Sequence, residues 1–343
     1  MSYLYSHFLD LENYKGISMN TALLNNATHN YFAQKNMKDF GEIFIEKLPK
    51  HFENLKVSER IIDTNQKMEP ISTPIENIEM IQETMLQVLM DPITVHAQAN
   101  AEKTFQAFLD KSKTDVGLLK FFNGWNETHK TTSLVSAKII MRLAADAVLI
   151  KDVELKDYLI TMANMHEVAK DDFGLGHKGH DGMYVYMTSA FDAFAWIENQ
   201  YKVKECNDFS QFLYDVGISK YKAPLSSTEY SNSILEAMMV SVSSELWNGR
   251  EYNYLAQFIE SKLISYKPEL SDNLIEFRYA KGYVLGHAGE IENRHGLHAL
   301  VAATVFAKSR NIPFDLNKLK EIMLNYNYRV GLAFEALYNA LTT

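Results

Sequence analysis

Cysteine is almost absent from this chain, which has one thiol, Cys206, in 343 residues. A single cysteine excludes an intrachain disulfide framework and argues against a thiolate-ligated metal or an iron–sulfur cluster. Because disulfide-rich proteins belong to oxidising compartments, the cysteine count favours a reducing, cytoplasmic location.

The chain also lacks long hydrophobic runs and an excess of basic residues over acidic ones. No stretch of eighteen apolar residues occurs, and the N-terminus lacks the basic and then apolar pattern of a secretion signal. The formal net charge of −9 counts against nucleic acid and against anionic membranes as partners, because both attract a basic surface. The partner that we expect is therefore a small molecule, with no nucleic acid and no membrane.

Proline and strand-like alternation are scarce, which leaves room for long helices. Seven prolines occur in the whole chain, and hydrophobic residues make up 47% of it, enough to bury a core. The apolar periodicity predicts an all-α protein, a bundle of about seven core helices. Residues 1–90 are predicted to be a partly helical N-terminal extension, and residues 91–343 to be the bundle.

Helix-capping residues, glycines and prolines predict where the helices begin and end. One or two short helices are expected before residue 71. The later helices are predicted at residues 76–90, 93–109, 116–122, 127–150, 153–173, 184–201, 207–216, 229–266 and 272–308, with a final one that begins at Asp315. The helices at 127–150 and 153–173 are expected to form an antiparallel hairpin.

Residues 287–298, within the predicted helix at 272–308, are rich in side chains that can bind a metal. Three of the eleven histidines in the chain lie there, His287, His295 and His298, together with Glu290 and Glu292. Glu292 and His295 are about 60° apart on a helix, one turn from each other, and His298 continues that line. His287 is about 140° from Glu292 and joins the same face only where the helix is locally overwound or unwound, as in a π-bulge.

Two interpretations of this cluster are open. It could be a polar stripe whose members cap or hydrogen-bond neighbouring helices. Alternatively, it binds a metal, which would give buried imidazoles and carboxylates the partner that they need. The apolar residues on both sides, Val284, Leu285, Leu300 and Val301, favour the second interpretation.

Further acids and histidines are placed where they could complete such a site. The hairpin brings Glu127, at the start of one helix, towards Asp172, at the end of the other. A glycine-dense loop follows, with His177 and His180 as competing candidates.

A middle helix, predicted at residues 229–266, carries a carboxylate inside an apolar face. Glu245 follows Met238 and Val242 on that face and needs a partner if it is buried. Glu251 is about 120° away around the helix axis and competes for the same role.

Three motifs in this order resemble the heme-oxygenase-like diiron oxidases, whose helical-bundle fold is similar to those of heme oxygenase and TenA thiaminases. They are Asp171-Asp172-Phe173-Gly174-x-Gly176…His180-x-x-Met183-Tyr184, then Glu245-x-x-x-Gly249-Arg250, and then His287…Glu292-x-x-His295. The resemblance covers roughly residues 90–310. The late motif departs from the family pattern in two ways: five residues separate His287 from the acid instead of four, and the acid is Glu instead of Asp. The loop before His180 is also about two residues shorter.

The resemblance implies a set of metal ligands and an activity. The ligands that it implies are Glu127, Asp172, His180, Glu245, His287, Glu292 and His295, which would bind two Fe(II) ions and use O₂ as co-substrate. His298 and Glu290 remain as groups that could orient the ligands.

The expected function is that of a non-heme diiron oxygenase or oxidase. Its substrate would be a small amine, amino acid or carboxylic acid, and its reaction N-oxygenation, desaturation or C–C cleavage. An external electron donor and a homodimer are further expectations. The alternatives are a metal-free TenA-like hydrolase or cofactor-biosynthesis enzyme with the same bundle, and a helical binding protein. Cys206 stands in a polar Lys204-Glu205-Cys206-Asn207 context, which is poor ground for a nucleophile.

Overall fold

The computed structural model describes residues 35–55, 57, 75–149, 152–170, 180–219 and 227–343. Within these ranges the chain is helical and contains no strand, so the predicted all-α class is confirmed. None of the described helices combines the length and the apolar character needed to cross a membrane.

The helices are numbered here in chain order. They are α1 (Met37–Glu46), α2 (Leu48–Glu53), α3 (Ile78–Met90), α4 (Pro92–Asp110), α5 (Val116–Ala147), α6 (Asp152–Ala169), α7 (His180–Ala190), α8 (Lys204–Tyr214), α9 (Thr228–Ala256), α10 (Ile259–Tyr266), α11 (Leu274–His287), α12 (Ile291–Ser309) and α13 (Leu316–Thr342). Short 3₁₀ turns lie at Phe194–Ile197, Asn199–Tyr201 and Pro268–Ser271, and a π-helical turn at Asp215–Ser219 follows α8.

Four of these helices close into a ring around the candidate site. Helix α9 packs on α12, α12 on α6, α6 on α5, and α5 on α9. The hairpin predicted from the sequence is the α5–α6 pair. On the outer side of the ring, α13 packs along α4, α5 and α9, and α8 packs on α5. Polar side chains from different parts of the sequence contact one another inside this ring.

One continuous hydrophobic core joins the described helices. It includes Met37 and Leu48 of α1 and α2, which are fully buried, and Leu89 of α3. Helix α1 packs directly on α9. The part of residues 1–90 that the structure describes thus contributes to the same core as the bundle.

Several predicted helices had the wrong extent. The helix predicted at residues 184–201 ends at Ala190 as α7, and 3₁₀ turns follow it. Residues 272–308 form two helices, α11 and α12, because Ala288 is extended with ψ 175° and Gly289 then adopts φ +80°, which no helical residue does. Residues 229–266 also divide in two, since α9 ends at Ala256 and α10 begins at Ile259. Conversely, α5 continues through Gly124, where a Cβ would stand 2.6 Å from Leu337 Cδ2 and 2.8 Å from Cys206 Sγ. That glycine serves close helix packing and does not end the helix.

The longest helix contact, between α4 and α13, also depends on a glycine. A Cβ at Gly331 would lie 2.8 Å from Ala97 Cβ and 3.0 Å from Ala97 Cα. Because the second of these atoms belongs to the backbone, the two helices would have to move apart to admit a side chain.

We expect Gly331→Ala to lower the free energy of unfolding by about 1–3 kcal/mol, the usual effect of overpacking a core. Denaturant unfolding followed by circular dichroism measures it. The matched control is Gly282→Ala in α11, where a Cβ meets nothing within 4 Å. That change should be neutral or stabilise by about 0.5–1 kcal/mol, since alanine is the better helix former. Equal effects of the two substitutions would contradict the packing argument.

Candidate metal centre

Three buried side chains converge inside the four-helix ring. Glu245 comes from α9, and Glu292 and His295 come from the first two turns of α12; their exposed fractions are 2%, 3% and 3%. One potential ligand atom from each lies within 4.8 Å of the other two. The structure therefore brings together three of the seven ligands that the resemblance implied.

The spacing within this group is compatible with a bound cation. His295 Nδ1 lies 3.5 Å from Glu292 Oε2 and 3.7 Å from Glu245 Oε2. Hydrogen bonds from nitrogen to oxygen are about 2.7–3.2 Å long. Metal–ligand bonds of about 2.0–2.2 Å place two ligands of a tetrahedral ion about 3.4 Å apart. The group could therefore bind a metal ion.

Electrostatics point in the same direction. Burial raises the pKa of Glu245 well above its usual range, and the adjacent Glu292 carboxylate raises it further, although His295 opposes this. Burial also acts to raise the pKa of Glu292, but the hydrogen bond and charge of His295 and the charge of His287 hold it well below its usual range. Without a cation, burial and the mutual repulsion of the two carboxylates oppose the ionisation of both. A divalent ion would allow both carboxylates to ionise.

Two glycines let α9 and α12 approach closely enough to form this group. A Cβ at Gly296, next to His295, would lie 2.8 Å from Leu246 Cδ2 and 3.5 Å from Glu245 Cβ. A Cβ at Gly249, one turn after Glu245, would lie 2.9 Å from Asn293 Cγ. Larger residues at either position would separate the carboxylates on the two helices.

Glu251, the competing carboxylate on α9, accepts hydrogen bonds from two tryptophans and is not one of the three converging residues. Its Oε1 accepts a hydrogen bond from Trp125 Nε1 at 2.5 Å, and its Oε2 accepts one from Trp247 Nε1 at 2.6 Å. His129 Nε2 approaches Oε1 at 3.3 Å. Burial lowers the pKa of His129, but the charge and hydrogen bond of Glu251 outweigh that effect and raise it. Glu251 thus organises a polar network within the aromatic core beside the group.

Glu127 is not one of the three converging residues, and its role as a metal ligand stays a prediction. Its carboxylate pairs with Lys130 Nζ at 2.5 Å, and its charge contributes to the raised pKa of Cys206 on α8. One turn later, Thr131 shares a hydrogen bond with Ser210 of α8. This face of α5 is therefore directed at α8, and it is His129 that reaches towards α9.

His287 lies beside the group, not in it. Its Nδ1 contacts the carbonyl oxygen of Tyr283, and its ring stacks on Tyr252 at 4.8 Å between centroids. Its charge is one of those that lower the pKa of Glu292. A break between α11 and α12, and not the predicted π-bulge, sets this position.

The remaining predicted ligands fall where the structure gives no side chain. Asp172 and the competing His177 lie outside the described residues. His180 begins α7, but its side chain is also outside what is described. Their roles stay predictions.

His298 and Glu290 take different places. His298 Nδ1 lies 2.8 Å from Asn164 Oδ1 of α6, so it is this nitrogen that carries the proton and donates. Burial lowers the pKa of His298 to about 3, which keeps the ring neutral. Its buried Nε2 has no hydrogen-bond partner among the described residues. Glu290 is exposed at the start of α12, away from the group.

Sequence reasoning missed several polar residues of this region: Trp125, His129, Trp247 and Asn253. A signal was present for the first three, since the pairs Trp125/His129 and Trp247/Glu251 are each four residues apart and share a helix face. The convergence of both pairs on one carboxylate depends on how α5 packs on α9.

Comparisons with family models, with curated proteins and with solved structures gave no match to this chain. The resemblance noted above thus rests on the three sequence motifs alone.

We expect Glu251→Gln to destabilise the protein by about 1–3 kcal/mol. An amide has one acceptor oxygen and would leave a buried indole N–H without a partner. Thermal and denaturant unfolding measure the loss. Glu290→Gln, at an exposed position, is the control and should change stability by no more than about 0.5 kcal/mol. If both variants behave like the unsubstituted protein, the two indole hydrogen bonds contribute nothing measurable.

Proposed function

We propose that this protein is a non-heme diiron oxygenase or oxidase built on a heme-oxygenase-like bundle, acting on a small amine, amino acid or carboxylic acid. The observation that carries the proposal is the convergence of Glu245, Glu292 and His295, three buried ligand atoms within 4.8 Å of one another. A homodimer and an external electron donor belong to the same proposal.

The donor chemistry supports iron or manganese over softer metals. The group offers two carboxylates and one imidazole and no thiolate, a set that suits Fe(II) and Mn(II) in O₂-using sites. Cys206 is fully buried, and burial raises its pKa well above the ordinary value. A thiolate ligand is therefore not available from that residue.

The three converging residues would hold one ion. By resemblance, the second ion would take its ligands from Glu127, Asp172, His180 and His287. Of these, His287 already acts on Glu292 through its charge. Glu127 would exchange its ion pair with Lys130 for the metal.

The residues around the group have identifiable tasks. Glu245 would lose its proton when a cation binds, Glu292 would bind the cation as a carboxylate, and His295 would bind it through a neutral ring nitrogen. Trp125, Tyr252 and Tyr283 form a fully buried aromatic wall beside Glu251 and His287, which excludes water from this side. Iron bound here would supply electrons for the reduction of O₂ next to the substrate.

Among the alternatives, a cysteine-dependent hydrolase has the least support. Its nucleophile would need an accessible thiol of low pKa, whereas Cys206 is buried with a raised pKa. No described feature favours a purely structural role over metal binding.

We expect Glu245→Ala, Glu292→Ala and His295→Ala each to weaken Fe(II) binding by tenfold or more, because each removes a ligand. Anaerobic Fe(II) titration of the metal-stripped protein, followed by calorimetry and metal analysis, gives the affinity and stoichiometry. Glu290→Ala is the control, since it lies two residues from Glu292 but is exposed, and it should bind like the unsubstituted protein. Equal losses in Glu290→Ala and Glu292→Ala would contradict the assigned ligands.

The activity itself is tested by adding O₂ to the Fe(II)-loaded protein with panels of amines, amino acids and carboxylic acids. O₂ consumption and substrate oxidation that require both Glu292 and His295 would support the proposal. A protein that binds no Fe(II) when supplied anaerobically would overturn it.

A further inference from the structure

The break between α11 and α12 is held from outside by one side chain of α9. Asn253 Oδ1 accepts a hydrogen bond from Gly289 N at 2.7 Å, and its Nδ2 donates to Gly289 O at 2.9 Å. The same Nδ2 also donates to Gly249 O at 2.6 Å. The Asn253 amide therefore binds both backbone polar groups of a single residue.

That residue lies in the break itself, directly after Ala288, whose extended backbone (φ −80°, ψ 175°) ends α11. Gly289 has φ +80°, in the left-handed region that disfavours side chains, and a Cβ there would meet nothing within 4 Å. Glycine is favoured at this position because of its backbone conformation, and not because a neighbouring atom would clash with a side chain. Asn253 is buried, with 4% of its surface exposed, so its three hydrogen bonds form away from water.

The position of the break determines the direction in which the first ligands of α12 point. Glu292 lies three residues after Gly289 and His295 six residues after it, so a shift of the helix start by one residue would rotate both by about 100°. Gly249, to which Asn253 also bonds, lies on α9 between Glu245 and Asn253 and contacts Asn293 of α12 closely.

We propose that Asn253 is a positioning residue for the metal centre. By fixing the backbone of Gly289, it sets the register at which α12 begins, and so places Glu292 and His295 opposite Glu245. The role of Asn253 in metal binding rests on the proposed function. Its effect on the break between α11 and α12 is independent of that function.

The test compares metal affinity with stability in matched variants. We expect Asn253→Ala to weaken Fe(II) binding about tenfold or more, in the range found for residues that orient metal ligands. Gly331→Ala, at the distant α4–α13 contact, should lower stability without changing Fe(II) affinity by more than about twofold. A merely structural Asn253 would give two variants whose affinities change alike, and that result would overturn the proposal.

A second variant acts on the other side of the same contact. Gly289→Ala should weaken Fe(II) binding, since alanine disfavours φ +80°. The neighbouring Gly286→Ala should not, because that residue is helical and its added Cβ would meet only Met183 Sδ, at 4.0 Å. The double variant of Asn253 and Gly289 should lose less affinity than the sum of the two single losses, because both changes release the same break. If the losses of binding free energy in the two single variants add up in the double variant, the two residues do not act through the same break.

Hydrogen exchange separates this inference from the proposed function. In metal-free protein, the amide of Gly289 should exchange at least tenfold faster in Asn253→Ala than in the unsubstituted chain, while amides in the middle of α9 should not change. If the unsubstituted protein binds no Fe(II) but this exchange result holds, only the proposed function fails. If Fe(II) binds but neither exchange nor affinity responds to Asn253→Ala, only the inference fails.

Discussion

The burial of two carboxylates against each other is the constraint on which this region depends. Glu245 and Glu292 face one another away from water, and one imidazole lies between them. Such a pair is costly unless a proton or a cation compensates for the second charge. Much of the nearby architecture can be understood as keeping the pair together: two glycines where α9 meets α12, a broken helix, and an amide that holds the break.

A second carboxylate shows the opposite solution. Glu251 is just as buried as Glu245 and lies on the same helix, yet two indoles donate to it and His129 lies against it. Its requirements are satisfied within the protein, whereas those of Glu245 are met only by a neighbouring acid and by His295 at 3.7 Å. The contrast between two acids six residues apart is the one expected between a structural group and a group that could bind a metal ion.

The sequence predicted those features that depend on a single helix. The all-α class, the α5–α6 hairpin and the shared face of Glu292 and His295 follow from periodicity and from residues three apart. The break at Gly289 could not be predicted, because Gly282 and Gly286 nearby lie within α11 and the sequence does not show which glycine leaves the helix. In the structure a distant residue, Asn253, binds the backbone of Gly289. The surroundings of Glu127 could not be predicted for a related reason. Hairpin topology brings its helix to the ring but does not fix which face is directed at α8 and which at α9.

Asn253 contacts Gly289 only through backbone atoms, and this has a consequence for recognising related chains. Side chains at Ala288 and Glu290 can vary freely, while the spacing of the contacting positions cannot. Relatives should therefore show Glu, Gly and Asn at every fourth position of one helix, as at Glu245, Gly249 and Asn253. A second segment would follow with Gly, Glu and His at every third position, as at Gly289, Glu292 and His295. This paired fingerprint can be sought in sequences whose overall similarity is too low to detect.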